Sequence, residues 1–339
     1  MTKNIRISFT PNTPKYLSIA DSLIKAIRDG DFHKGDKLPS INQLSIEHLI
    51  SRDTVEKAYK ELKEQNIIEA VRGKGYFVNR TDVNIPTRVL LIFNKLSNYK
   101  KQIYDALRLS LGKNTKVDLK IHHWDINILD IIIKNNIGRY DYYVVMPHFY
   151  DNEEKAINII NRIPREKLIL LDRDLPQLEQ NYTAIYQDFR KDIIDALEEA
   201  KPLLDKYQRL IYLNPTLTPY PPEIKAGFRN FCMLNSFDYS IFEEMNENSP
   251  VQKGDVYIVI SETDLVELIK KCKDNHFKIG TDIGIISYNE TPLKEILLEG
   301  ITVISTDHKA MGRKTAELIL DKKYTKIKNP FRLIKRASI

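Results

Sequence analysis

Residues 40–78 read SINQLSIEHLISRDTVEKAYKELKEQNIIEAVRGKGYFV, and the fold of the first quarter of the chain turns on this stretch. Ser40 and Gln43 have the Ser-x-x-Gln spacing of a capping box, so a short helix is expected to start after Ser40. Ser51 is a second N-cap residue. Behind it Val55, Ala58, Tyr59 and Leu62 share one helix face, while Asp53, Lys57 and Lys60 share the other. Ile67–Val71 and Tyr76–Val78 are short β-prone runs separated by Arg72-Gly73-Lys74-Gly75, the pattern of a hairpin whose glycines permit a tight reversal. Upstream, Leu17, Ala20, Leu23, Ile24 and Ile27 recur at three- and four-residue steps as far as Gly30, which predicts a further helix before a turn at Asp31–Lys37. Three helices followed by a basic-tipped hairpin make a winged helix-turn-helix over residues 1–79.

Composition bounds the rest. At 339 residues and 42% hydrophobic content the chain is expected to hold about two domains. It has no run of 18 apolar residues, and MTKNIRISFTPNTPKYL at its start lacks the apolar stretch of a signal peptide, so a cytoplasmic protein with no membrane partner is expected. Cys232 and Cys272 share no metal-ligand spacing and are expected to be buried thiols; no metal and no cofactor is called for. The net charge is +6, and residues 1–80 hold fourteen basic against ten acidic side chains, so most of the surplus sits in the first quarter. That bias fits a polyanionic partner for this segment.

The run Gly30–Ser40 (GDFHKGDKLPS), then Ser51-Arg52-Asp53-Thr54-Val55, Ala58-Tyr59, Leu62 and Arg72-Gly73-Lys74-Gly75-Tyr76-Phe77-Val78, resembles the GntR family of bacterial regulators over residues 14–79. The resemblance implies that the third helix enters the major groove of double-stranded DNA and the wing touches the adjacent minor groove. Residues at the start of a recognition helix reach base edges, and the amides there favour phosphates. Arg52 is the first candidate for a guanine, because a guanidinium pairs bidentately with O6 and N7. Ser40, Asn42, Ser51, Asp53, Thr54 and Lys57 complete the expected helical contacts. Arg72, Gly73, Lys74 and Gly75 form the wing tip, and Lys15 and Tyr16 are placed on the phosphate backbone. Asn42 stands where many relatives carry Arg, and Glu56 occupies another position that is often basic. The alternative for each single lysine is a solvated surface charge.

Residues 80–87, with Asp82, Asn84 and Pro86, read as a linker. Beyond Arg88 short apolar strands alternate with amphipathic helices, which predicts an α/β domain of parallel sheets over 88–339. The strands are expected at Val89–Phe93, Val117–His122, Tyr142–Met146, Leu168–Leu171, Arg209–Leu213, Val256–Ile260 and Ile283–Ser287. No Gly-rich phosphate loop of the GxGxxG or GxxxxGK[ST] type follows any of them.

Leu170-Leu171-Asp172-Arg173, Tyr186-Gln187-Asp188, Ala226-Gly227-Phe228, Asp282–Asn289 (DIGIISYN) and Met311–Ala316 (MGRKTA) resemble the effector domains of LacI-type regulators, which are related to periplasmic sugar-binding proteins. A GntR-type head on a LacI-type sensor is the arrangement of arabinose-repressor-type regulators of Gram-positive bacteria. The resemblance implies two doubly wound lobes, about 88–186 with 306–322 and about 187–305 with 323–339, and a ligand in the crevice at their strand ends. A sugar needs carboxylates, amides, cations and an aromatic platform. Groups of those kinds at the expected strand ends are Asn94, Tyr99, Trp124, Asp125, His148, Phe149, Asp172 and Arg173 in the first lobe. In the second they are Asp188, Asn214, Thr216, Ser261, Glu262 and Asn289. Ile224 stands where relatives commonly have Arg, and Asn289 where Asp is usual, which leaves Arg173 or Lys225 as replacements. Each has a structural alternative: Asp172 as a turn cap, Arg173 paired with Asp174 or Asp188, Trp124 in a core. His122 and His123 are neighbours on a strand, face opposite ways, and cannot share a metal.

The function implied is a sequence-specific, homodimeric DNA-binding regulator, a repressor by expectation, whose operator affinity is set by a small effector, a monosaccharide or sugar phosphate. The competing reading is a DNA-binding head fused to an enzyme-like domain. No Ser/His/Asp order, paired Glu motif or HExxH supports catalysis.

Overall fold

The structure, a computed structural model, describes residues 5–9, 13–150, 152–178, 181–215, 220–246 and 249–339. It is a mixed α/β fold: a winged helix-turn-helix followed by two lobes, each built on a six-stranded sheet.

The head consists of α1 (Lys15–Arg28), α2 (Ile41–Glu47), α3 (Arg52–Glu64), β1 (Ile68–Val71) and β2 (Gly75–Val78). The caps fall where the sequence places them. Ser40 accepts from the Gln43 amide at 3.1 Å and Ser51 from the Thr54 amide at 3.3 Å. The apolar stripes of the three helices meet in one core of Ile19, Leu23, Ile24, Ile27, Leu44, Val55, Ala58, Tyr59 and Leu62. Tyr59 is the keystone of the helix-turn-helix, since its buried hydroxyl donates to the Pro39 carbonyl at 2.6 Å and its ring meets Tyr76 edge-on at 4.7 Å. One element goes beyond expectation. The presumed turn continues past Asp31–Lys37 as an extended segment that pairs with β2 through Gly35 N to Val78 O, Val78 N to Asp36 O and Leu38 N to Tyr76 O, each within 2.9 Å.

The segment expected as a linker is packed. Val83, only 3% exposed, belongs to the head core, and Ile85 packs against it. Its alternation of apolar with polar residues lets one side bury while the other stays in water. Arg88 follows. Its guanidinium, 13% exposed on the side chain, grips Asp21 of α1 through two hydrogen bonds of 2.9 and 3.2 Å, and its amide donates to Asp141 at 2.8 Å. Asp21→Ala leaves that guanidinium without its carboxylate. The expected loss is about 1–2 kcal/mol, between an exposed pair and a fully buried one, read by chemical denaturation. An unchanged midpoint would show that the pair is energetically idle.

The remaining elements run β3 (Thr87–Phe93), α4 (Asn98–Leu111), β4 (Thr115–Ile121), α5 (Ile126–Asn136), β5 (Tyr142–Val145), α6 (Glu153–Ile160), β6 (Leu168–Asp172), β7 (Thr183–Tyr186), α7 (Phe189–Leu204), β8 (Arg209–Leu213), α8 (Pro222–Leu234), β9 (Asp238–Phe242), β10 (Asp255–Val259), α9 (Glu262–Asp274), β11 (Gly284–Tyr288), α10 (Pro292–Ile296), β12 (Thr302–Thr306), α11 (His308–Asp321), β13 (Lys326–Lys328) and β14 (Phe331–Ile334). One sheet has the order β4-β3-β5-β6-β7-β13, the other β9-β8-β10-β11-β12-β14. In both, the order reverses between the first and third strands, the switch point at which doubly wound sheets leave a crevice beyond their carboxyl ends. The last crossing between sheets was expected at 322/323. It lies after β13, because Lys326–Lys328 pairs in parallel with β7, and only β14 joins the other sheet, antiparallel to β12.

By internal packing the chain divides into two units: residues up to Leu90 with Gly112–Asp118 and Ile131–Tyr143, and Leu91–Leu111, Leu119–Asp130 and Val144 onward. In the second unit two glycines set the closeness of helix pairs. A Cβ on Gly312 of α11 would stand 2.4 Å from the Ile103 carbonyl oxygen of α4, and one on Gly227 of α8 would stand 2.3 Å from Ile193 and 2.6 Å from the Arg190 carbonyl of α7.

Candidate DNA-binding surface and effector cleft

Arg52 is the first residue of α3, exposed, and joined to no carboxylate among the described residues. Asp53 beside it is exposed in the first turn, where a carboxylate suits the helix dipole. Ser51 and Thr54 hydroxyls lie 2.7 Å apart at the helix start. Asn42 is exposed in the first turn of α2, and Lys57 one turn further along α3. At the wing the Lys74 amide closes on the Val71 carbonyl at 3.0 Å, which leaves Arg72, Gly73 and Lys74 exposed at the tip. Gly73 (φ 73°) and Gly75 (φ 112°) hold backbone conformations that side-chain-bearing residues rarely adopt. Lys15 is exposed at the start of α1 with its ammonium 6.0 Å from the Phe9 ring, and Tyr16 packs partly on the head core. The set is a surface of unpaired cations around two helix N-termini, which suits phosphates and base edges.

In the second unit a cleft opens at the carboxyl ends of both sheets, with an inner and an outer chamber sharing Lys95, Tyr99, Tyr220, Tyr288 and Asn289. Three of the twelve non-glycine residues with positive φ among the described residues line it. Asp172 (φ 75°) ends β6, Asn289 (φ 65°) follows β11, and Trp124 (φ 58°) follows β4; such strain collects where function over-determines the geometry.

The inner chamber is organised around Asp172. His148 Nε2 lies 2.8 Å from one carboxylate oxygen, and the Gln187 amide nitrogen donates to the other. Burial raises the Asp172 carboxyl, but the His148 and Gln187 hydrogen bonds and the nearby Lys100 charge outweigh it and hold the group down at about 2. Burial pushes the His148 imidazole below its ordinary value against the opposing pull of Asp172, and pushes His308 down to about 4. Lys100 is 2% exposed, donates to Asn94 Oδ1, and is pushed down to about 7 by burial. Tyr99 lies 5.0 Å from the His308 ring, and the Lys95 ammonium sits 5.6 Å from the Trp124 ring and 5.3 Å from Tyr220. Three buried polar atoms in this lining have no protein partner: Tyr288 Oη, Trp124 Nε1 and Gln187 Oε1. Buried polar groups are nearly always bonded, so such a convergence marks a place for a ligand or water.

The sequence candidates separate into three groups. Asn94, Tyr99, Trp124, His148, Asp172 and Asn289 line the inner chamber; Ser261 and Glu262, at the start of α9, line the outer one. Others have structural work instead. Asp125 caps α5 by accepting from the Asn127 amide at 2.7 Å, and Asp188 caps α7 by accepting from the Lys191 amide at 3.2 Å. Arg173 pairs with Glu153 at 3.1 Å and Glu223 at 3.6 Å, not with Asp174 or Asp188, and does not line the inner chamber. Phe149 packs on His122 at 4.8 Å, and Asn214 extends the β8–β9 pairing through its amide to Phe242 O. Thr216 lies outside the described residues. His122 is buried against the Met146 carbonyl while His123 is exposed, but the two were expected on a strand and instead follow the end of β4, His123 in a turn with φ 50°. Ile224, at the position where Arg was expected, is a buried apolar wall of the inner chamber.

Sequence reasoning missed Lys95, Lys100, Gln187, Tyr220, Tyr288 and His308. A signal was present for two of them. Lys100 falls on the buried stripe of α4 with Ile103, Leu107 and Leu111, and His308 on that of α11 with Met311, Thr315 and Ile319. A charged or titratable residue on an apolar stripe is buried for a reason.

Residues 15–78 match the family described as "Bacterial regulatory proteins, gntR family". The chain is 29% identical over 120 residues to the HTH-type transcriptional repressor YtrA of Bacillus subtilis, 35% of this chain and 88% of that protein. It is 38% identical over 86 residues to the mannosyl-D-glycerate transport/metabolism system repressor MngR of Escherichia coli, but that covers 25% of this chain and 36% of the relative. Among solved structures, a LacI family transcriptional regulator from Lactobacillus casei with bound sucrose superposes with a TM-score of 0.60 at 14% identity, over 75% of this chain and all of that one. The chain thus has the architecture of a DNA-binding transcription regulator, a GntR-type head on a domain with the LacI-type fold. No helix among the described residues is long and apolar enough to cross a membrane.

Proposed function

We propose that the protein is a dimeric bacterial repressor, acting in the cytoplasm, whose operator affinity is controlled by a monosaccharide-class effector held in the cleft of the second unit. The observation that carries this reading is the cleft itself. Aromatic plates, a fixed carboxylate and three unpartnered buried polar atoms converge at the switch points of two doubly wound sheets, downstream of a head with unpaired surface cations. The solved regulator of like fold with bound sucrose supports a carbohydrate in such a cleft. Two heads suit two half-sites of a symmetric operator, which supports the dimer. An effector changes operator affinity only if it prefers one closure state of the cleft, because equal affinity for both shifts nothing.

The reading is of a binding site rather than a catalytic one. Asp172 holds His148 Nε2 as it would a general base, but among the described residues no serine, threonine or cysteine side chain is hydrogen-bonded to that imidazole for it to activate. The test is a thermal-shift screen of the full-length protein against monosaccharides and their derivatives, followed by operator titrations with each hit. A true effector raises Tm by several degrees at saturating concentration and changes operator affinity at least tenfold. A hit that stabilises the protein and is chemically converted by it would overturn the binding reading in favour of an enzyme.

A further inference from the structure

The charges of the inner chamber do not balance, with Lys95 and Lys100 against the single carboxylate of Asp172, whereas the outer chamber sets Lys95 and Lys294 against Glu244, Glu262 and Asp264. Three lysines thus face the cleft: Lys100 and Lys294, both buried, and Lys95, partly buried. Among the described residues none of the three has a carboxylate within ion-pair distance. Lys100 donates to the neutral Asn94 side chain, Lys294 to the Tyr288 and Asn289 carbonyls, and Lys95 lies over the rings of Trp124 and Tyr220. The buried carboxylate of the inner chamber, Asp172, is already satisfied by His148 and Gln187; in the outer chamber Glu244 and Glu262 are exposed to water, and the buried Asp264 accepts from the Met245 amide at 3.0 Å.

Two further features have the same sign. The first turn of α4 lines the outer chamber through Asn98 and Tyr99 and contains no acidic residue, so its positive end is capped by the Ser97 hydroxyl, which accepts from the Lys100 amide at 3.3 Å, and not by a carboxylate. The unpartnered atoms of the inner chamber include two hydrogen-bond donors, Tyr288 Oη (residue 3% exposed) and Trp124 Nε1. A neutral polyol brings as many donors as acceptors; an anionic group brings only acceptors. A buried ammonium without a counter-charge is costly, and an anion beside it relieves that cost.

Resting on the effector reading above, we propose that the effector is an anionic sugar derivative, its phosphate or carboxylate seated by Lys100 and Lys95 at the start of α4 with Trp124 and Tyr288 as donors. Phosphate and carboxylate share the acceptor chemistry, and the experiment separates them.

Full-length protein is titrated by calorimetry and thermal shift with glucose, glucose 6-phosphate and glucuronate, with ribose, ribose 5-phosphate and ribonate, and with inorganic phosphate alone. The phosphorylated or the acidic arm is expected to bind at least tenfold more tightly than its neutral parent, and the better arm identifies the group. In Lys100→Met, and independently in the more exposed Lys95→Met, that advantage falls below about threefold, with the fold of each variant checked by circular dichroism. A neutral sugar that binds as tightly as its charged derivatives overturns this inference and leaves the effector reading standing. An anion whose advantage survives in both variants overturns the placement on these lysines. Silence in every arm overturns this inference and the sugar reading together.

Discussion

Arg52→Ala is expected to weaken binding to a selected operator by about 1–3 kcal/mol per half-site, about fivefold to more than a hundredfold, and to relax base preference at one position. The side chain leads α3, is exposed, and makes no ion pair among the described residues, so its removal costs the fold almost nothing. Lys57→Ala serves as the contrast. If Lys57 meets phosphate, its loss weakens binding evenly across sequences and lowers the salt slope by about one. Both are read by fluorescence anisotropy on an operator recovered from a random library. Operator affinity and selectivity unchanged in Arg52→Ala would remove α3 from the major groove.

Gly312→Ala is expected to be a strongly damaging single-methyl change in the second unit. Within a helix alanine is favoured over glycine by about 1 kcal/mol, so an unconstrained site would gain. Here the new Cβ stands 2.4 Å from the Ile103 carbonyl oxygen, 2.9 Å from the Ala106 Cβ and 3.0 Å from the Leu107 amide. Two of these three atoms are backbone and cannot swing aside, so α4 and α11 must separate. Overpacking of this kind costs about 1–3 kcal/mol or more, which outweighs the helical gain. The same seam carries Lys100 and His308, so effector response should fall along with Tm. A variant as stable as the parent would show that the two helices have slack.

How much of this was legible in the sequence depends on whether an element announces itself locally. The head did, because its caps at Ser40 and Ser51, its 3.6-residue stripes and its glycine reversal are all short-range signals. The pairing of Gly35–Leu38 with β2 was invisible, since it depends on where the wing returns rather than on the residues themselves. Central strands β3, β5, β6, β8, β10 and β11 were legible as apolar runs within a residue or two. The missed strands lacked that signal. β7 and β12 are buried but short and hydroxyl-bearing, reading Thr-Ala-Ile-Tyr and Thr-Val-Ile-Ser-Thr, and β9, β13 and β14 lie at sheet edges with half-exposed residues.

At the cleft, strand ends were a sound guide to Asn94, His148, Asp172 and Asn289, because strand direction fixes where those residues emerge. The guide failed at Asp125 and Asp188. A carboxylate at a strand end is also at the start of the following helix, and there the exposed amides claimed it. It also passed over Lys100 and His308, which come from the first turns of helices rather than from strands.

The burial of Val83 in the head core bears on where this protein can be divided. By motif the DNA-binding module ends at Val78, yet its hydrophobic interior closes only with side chains five and seven residues later and with Ile5 before the first helix. A transplant of the head onto another sensor that is cut at residue 79 would expose that interior. The head's packing runs at least from Ile5 to Arg88, whose guanidinium holds Asp21 of α1, so what sequence composition marks as spacer belongs to the recognition module.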